Sequence, residues 1–186
     1  MGKIIAAMNM TVDGFCDHTA GIADDELHEH YTELLRSSAV AIWGRIAYQL
    51  MEYWRPIAES PTGNKVTDDF VEVIDDLSKI VYSRTLTSVD WKNTELKRQL
   101  VKDEILDFKR REQRDIIVGS PSMIVQFTQL GLIDEYQLGI QPMVIGSGLT
   151  LFKNITDRLD LELLNTKPFA SGVIILYYEP TRREPL

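Results

Sequence analysis

Several short groups of polar residues in this chain have the types and spacing that chemistry needs. Asn9, Thr11 and Asp13 stand at the end of an apolar run, and small polar groups of this kind can hydrogen-bond hydroxyls or a carbonyl of a small molecule. Gly44-Arg45 and Gly119-Ser120-Pro121-Ser122 each lie between an apolar run and a segment of helical periodicity. A glycine there lets backbone approach a phosphate, and the free N–H groups of the following helix favour an anion; a turn without a ligand has the same pattern. Ser83-Arg84-Thr85 offers a hydroxyl and a cation, which suit a 2'-phosphate, whereas a plain ribose favours a carboxylate acceptor. The competing reading of Arg84 is a surface arginine in a turn.

Other chemistries lack their residues. His28 and His30 are not spaced i, i+4 and His18 falls in a loop, so no metal site is expected. Cys16 has no sign of a partnered base, and as the single cysteine it rules out an intrachain disulfide. Gly146-Ser147-Gly148 lacks the third glycine of a dinucleotide fingerprint.

The elements that must position these groups follow from periodicity. Residues 116–118 are a β-branched run ending at Gly119, and Ser120-Pro121 opens a helix with Ser120 as N-cap and Pro121 at its first position. The chain returns as a strand over 133–140, which makes a β-α-β crossover and places a ligand site at the strands' carboxyl ends. Residues 3–8, 40–43 and 80–82 are further buried strands. Leu27, Tyr31, Leu34 and Leu35 mark an amphipathic helix over 24–36, whose acids Asp24, Asp25 and Glu26 suit the first turn. A helix is expected over 67–77, a polar connection over 54–64, and a connecting strand edge followed by a charged helix over 93–114 with Leu96, Leu100, Ile105 and Phe108 as the helix's inner face. Residues 160–165 and 172–178 form an antiparallel hairpin.

At 186 residues the chain is most simply one domain, spanning 1–186. With a net charge of -8 it suits no nucleic acid partner, and an anionic cofactor would need local cations, Arg45 and Arg84. No apolar run reaches membrane-spanning length and no leader precedes the first strand, so a cytoplasmic protein with no membrane partner is expected.

The sequence of residues 116–152 resembles the C-terminal signature of the dihydrofolate-reductase-like family, in the branch holding the reductase half of the riboflavin-biosynthesis deaminase-reductase. MNMTVDGF at 8–15, WGRIAY at 43–48, VYSRTL at 81–86 and FASGVIILYYEP near the end match in order. The resemblance implies a three-layer α/β fold, with a mostly parallel mixed sheet, helices on both faces and an antiparallel C-terminal hairpin. It implies NADPH as cofactor, held by Ala7, Gly14, Gly44, Arg45, Ile46, Ser83, Arg84, Thr85, Gly119, Ser120, Pro121 and Ser122. Many relatives carry Thr where this chain has Ile46, so a hydroxyl contact to phosphate is missing there. Asn9 and Asp13 are the implied catalytic residues, and Thr11, His28, Tyr31 and Gly146 would meet the substrate. His28 stands where dihydrofolate reductases carry a carboxylate, which points away from that activity.

The implied function is NADPH-dependent hydride transfer to a small heterocyclic or sugar-derived molecule, similar to 5-amino-6-(5-phosphoribosylamino)uracil reduction. The alternatives are a dihydrofolate reductase and a non-catalytic NADP-binding module. The chain lacks the zinc-deaminase motifs and could perform only the reductase half. A homodimer is expected, with the apolar hairpin as its interface.

Overall fold

The computed structural model describes residues 1–22 and 24–181. The N-terminal apolar run becomes β1 (Ile4–Thr11), longer than its apolar part because it stays paired up to Thr11, opposite Gln141. It lies at the heart of an eight-stranded sheet of order β4-β3-β2-β5-β1-β6-β8-β7. The other strands are β2 (Ser38–Gly44), β3 (Ser78–Tyr82), β4 (Thr94–Lys97), β5 (Asp115–Val118), β6 (Glu135–Gln141), β7 (Leu161–Pro168) and β8 (Ile174–Pro180). All pairings from β4 to β6 are parallel, and β8 and β7 then add as an antiparallel hairpin.

Helices cover both faces. On one lie α1 (Asp25–Ser37), α2 (Arg45–Met51), α3 (Arg55–Glu59) and α4 (Lys65–Asp76), packed over Ala41, Trp43 and Val81. On the other, α5 (Lys102–Arg111) and α6 (Pro121–Gln129) bury Ile105, Met123, Ile124 and Phe127 against Ile4, Ala6, Val40, Ile42 and Val118. The split follows from the period of the strands, since alternate residues of β2 serve opposite cores.

Local chemistry explains most boundaries. Asp24 caps α1 by accepting from the Leu27 N–H at 2.7 Å, the structural role expected of first-turn acids. Asn64 does the same for α4, accepting from Thr67 at 3.0 Å. The opposite end of α4 is held by Lys79, whose buried ammonium donates to the carbonyls of Ile74 (2.9 Å), Asp75 (3.0 Å) and Leu77 (2.6 Å). Trp91 lies 4.7 Å beneath the same charge. The sequence pattern marked Lys79 as nothing special.

Two expectations are corrected. The polar connection over 54–64 contains α3, because Ile57 and Ala58 pack with Trp54 on the core. Leu96 belongs to β4 rather than to the inner face of the charged helix.

Candidate functional site

The parallel strands all point one way, so Thr11, Gly44, Tyr82, Val118 and Gln141 end at one edge of the sheet. That edge is indented. β5 stops at Val118, level with Ala6 on one side and Ile42 on the other, while β1 and β2 continue beyond it. Ile116 donates to the Lys3 carbonyl at 2.8 Å and Asp134 to the Ile4 carbonyl at 2.9 Å, so odd residues of β1 turn their backbone groups towards β5 and even ones towards β6. Beyond Val118 that alternation leaves the Ala7 carbonyl and the Asn9 N–H facing the notch, with no backbone partner among the described residues. A carboxamide, which donates and accepts side by side, matches this pair.

Two strand-to-helix junctions close the notch, and they are joined. Ser120 occupies the N-cap position of α6 as expected, but its hydroxyl makes no capping bond. It instead accepts from the Gly44 N–H at 3.0 Å, across to the other junction. A Cβ on Gly44 would sit 2.6 Å from the Ser122 hydroxyl, and one on Gly119 would meet the Trp43 indole nitrogen at 3.1 Å. Both glycines have ordinary φ, so close approach between the junctions is what requires them. Gly44 likewise gives α2 no side-chain cap. The first-turn N–H groups of α2 and α6 are thus both without a side-chain acceptor, side by side, beside the solvent-exposed Arg45 and Ile46 and with Pro121 half-buried. Arg45 is bonded only to Gln49 among the described residues, at 3.1 Å.

The Ser83–Thr87 loop stands beyond β3. Ser83 is buried, and its hydroxyl accepts from the N–H groups of Thr85 (3.2 Å) and Leu86 (3.0 Å), so it shapes the turn. Arg84 is exposed and has no partner among the described residues, and Thr85 is exposed beside it. Arg98 holds the loop from below, donating to the carbonyls of Ser83 (3.0 Å), Thr87 (3.3 Å) and Leu86. Arg98 was not singled out in the sequence, where it sits in a run of charges without a motif.

The residues expected to do chemistry divide between two tasks. Thr11 is buried and its hydroxyl donates to Asp13 at 2.5 Å, so it presents nothing to a ligand. Asp13 accepts in addition from the N–H groups of Gly146 (2.7 Å) and Ile145 (3.2 Å). The Thr11 hydroxyl, followed by those N–H groups, holds its carboxyl below the usual carboxylate range. Asp13 therefore fastens the loop after β6 to the loop after β1, and a catalytic part for it would have to be taken from that engagement. Gly14 and Gly146 serve the two turns with φ of +84° and +76°, the left-handed region that favours glycine. Asn9 and Tyr31 remain at the site, joined by a 2.7 Å hydrogen bond from the phenol to the amide oxygen. His28, one turn earlier on α1, leans instead on Phe70 and Trp54, with ring centroids 5.4 Å and 6.0 Å away. These contacts give His28 an aromatic packing role between α1 and α4.

A mostly parallel sheet with an indented carboxyl edge, two joined glycine junctions and a closing antiparallel hairpin defines a dihydrofolate-reductase-like α/β domain. The chain belongs to the RibD C-terminal domain family, which it matches over residues 2–175. It is 30% identical over 182 residues to the uncharacterized protein YyaP of Bacillus subtilis, covering 95% of this chain and 94% of that one. Among solved structures, a riboflavin biosynthesis protein of Shewanella sp. PV-4 superposes with a TM-score of 0.74 at 16% identity, over 97% of this chain and 99% of that one. Dihydrofolate reductase from Enterococcus faecalis, complexed with NADP(H), does so with a TM-score of 0.64 at 12% identity, over 97% and 98%. No helix among the described residues is long and apolar enough to cross a membrane, and no group of metal ligands occurs among them.

Proposed function

We propose that this protein is an NADPH-dependent reductase acting on a small heterocyclic or sugar-derived substrate, of the kind reduced as 5-amino-6-(5-phosphoribosylamino)uracil. The observation that carries the reading is the notch beside β1. Its unpaired donor and acceptor suit a nicotinamide carboxamide, and the adjoining uncapped helix starts with Arg45 and Arg84 suit phosphates. NADPH would supply the hydride; the chain binds and orients it and keeps water from the reacting carbon. A cation at Arg84 without a carboxylate beside it favours the 2'-phosphate form.

Dihydrofolate is a poorer fit. Of the acids at the start of α1, Asp24 is held at the helix cap and Glu26 by the Ala170 N–H at 3.2 Å, while Asp25 is exposed on the helix surface, which leaves a pterin no carboxylate in an apolar pocket. The test is NADPH oxidation with 5-amino-6-(5-phosphoribosylamino)uracil, dihydrofolate and a panel of small carbonyls. Turnover of the pyrimidine is expected, and turnover of dihydrofolate near ~10 per second, a median enzyme rate, would overturn the substrate reading. NADPH binding without any turnover would mark a non-catalytic binding module.

We propose as well that two copies pair through the hairpin. β7 is an edge strand exposed on both faces, and a bulge between Leu163 and Asn165 brings Leu163 and Leu164 to a surface shared with Ile174. Sedimentation should give a dimer, and Leu163→Glu a monomer. Such a protein suits the cytoplasm.

A further inference from the structure

Asn9 and Tyr31 form a device whose polarity can be read from the bonds around it. The phenol has one proton to give, and among the described residues the only acceptor for it is the Asn9 amide oxygen at 2.7 Å. Burial pushes the Tyr31 pKa far above that of a free phenol, so the proton stays on. Were the amide turned over, its NH2 would donate to the phenol oxygen and the phenol proton would be left with nothing. The bond therefore fixes which end of the amide faces α1. The nitrogen has no partner among the described residues, and it is not sealed in the core, where it would count as a buried orphan. It must face the open side of the site.

Gly139, opposite Asn9 across the β1–β6 pair, makes room for this. A Cβ there would sit 2.1 Å from the Asn9 oxygen and 3.0 Å from the Tyr31 oxygen. No turn demands glycine at this point of the strand, and in a strand interior glycine weakens the strand. Its place is explained by the bond it leaves space for.

We infer that Tyr31 is a positioning residue that locks the Asn9 amide with its NH2 outward, so the site selects ligands presenting a carbonyl oxygen or unprotonated ring nitrogen there. Calling that ligand a substrate rests on the reductase reading; the locked polarity does not. A pyrimidine dione or a lactam satisfies the two amide hydrogens, and an analogue with an amino group in place of the carbonyl sets donor against donor.

The experiment has one arm on the protein alone and one with a probe. The Asn9 side-chain NH2, followed in 1H–15N spectra, should exchange with water at an exposed rate, while the Tyr31 hydroxyl proton is slow enough to be seen in 1H spectra. Protected NH2 protons with a fast hydroxyl would overturn the orientation, whether or not the protein reduces anything. In the second arm, calorimetry with 5-amino-6-(5-phosphoribosylamino)uracil should show Asn9→Asp about tenfold weaker or more, since a carboxylate cannot donate. Tyr31→Phe should weaken the probe several-fold in the wild-type background and not at all in Asn9→Ala. Equal losses in both backgrounds would give Tyr31 a role independent of the amide and overturn the proposal. Absence of probe binding by the wild-type protein would count against that substrate alone, and the spectra would still decide the polarity.

Discussion

The bond from Gly44 to Ser120 predicts a result that ordinary helix capping does not. Ser120 is buried and its hydroxyl is the acceptor for a buried N–H on another loop. In Ser120→Ala that N–H loses its partner without access to water, at a cost of about 1–3 kcal/mol. For a domain of this size each kcal/mol lowers Tm by roughly 2–4 °C, so a fall of about 2–12 °C is expected. A lost cap, about 0.5–2 kcal/mol, would give a fall of about 1–8 °C, an overlapping range, so Tm alone does not separate the two. Amide hydrogen exchange does. The bridge requires Gly44 to lose protection while the first-turn amides of α6 keep theirs, because the hydroxyl does not serve them. NADPH affinity should fall as well, since the two junctions proposed to hold its phosphates loosen together. Unchanged protection at Gly44, with faster exchange at Ser122 or Met123, would refute the reasoning.

Arg84→Ala should weaken NADPH about ten- to a hundredfold by calorimetry and NADH little, the loss of one charge-assisted contact of ~1.5–3 kcal/mol; an equal fall for both would remove Arg84 from the 2'-phosphate. Asp13→Ala should speed exchange of the Ile145 and Gly146 amides and leave Tm nearly unchanged. Because the Asp13 pKa is depressed in the native chain, its hold on the loop is complete above the ordinary carboxylate value and is lost as pH falls through the lower native one. Lys79→Met strands buried carbonyls and should cost about 3 kcal/mol in denaturant unfolding. Burial lowers the Lys79 pKa to about 8, so the native chain gives up that proton earlier than the unfolded one. Stability should rise with pH from about 8 towards 10.5, and this rise should be missing in Lys79→Met.

The sequence made the strands and most helices legible because their signals are local. Continuous apolar runs at 40–43 and 116–118, short and bounded by turn residues, suit strands covered on both faces, and the four-residue recurrence of Leu27, Tyr31 and Leu35 suits one side of a helix. The junction glycines were legible as glycines, but their protein neighbours were not. Their close contacts are with Ser122 and Trp43, which no spacing rule connects to them. Asp13 and Thr11 were picked out as polar residues free to act, whereas Asp13 is occupied by a loop more than a hundred residues further on and the Thr11 hydroxyl is occupied by Asp13. Arg98 and Lys79 escaped notice for the same reason, since their acceptors are backbone carbonyls, which sequence does not distinguish. Gly139 carries no signal of its own in the sequence, and only its distance to the Asn9 amide gives it a reason.

The place of β1 in the sheet has a consequence for how the chain assembles. Its two neighbours, β5 and β6, begin at Asp115 and Glu135, so β1 is synthesised well before either and waits for both. Until then a nascent chain can build only the β2–β3–β4 side with its helices, while the apolar residues 4–8 have no lasting cover. Pairings this distant in sequence close slowly, because the loop entropy is lost before the contacts form. Emergence from the ribosome and completion of the fold are therefore separate events. The interval between them is when β1 is open to chaperones or to the wrong strand of another chain.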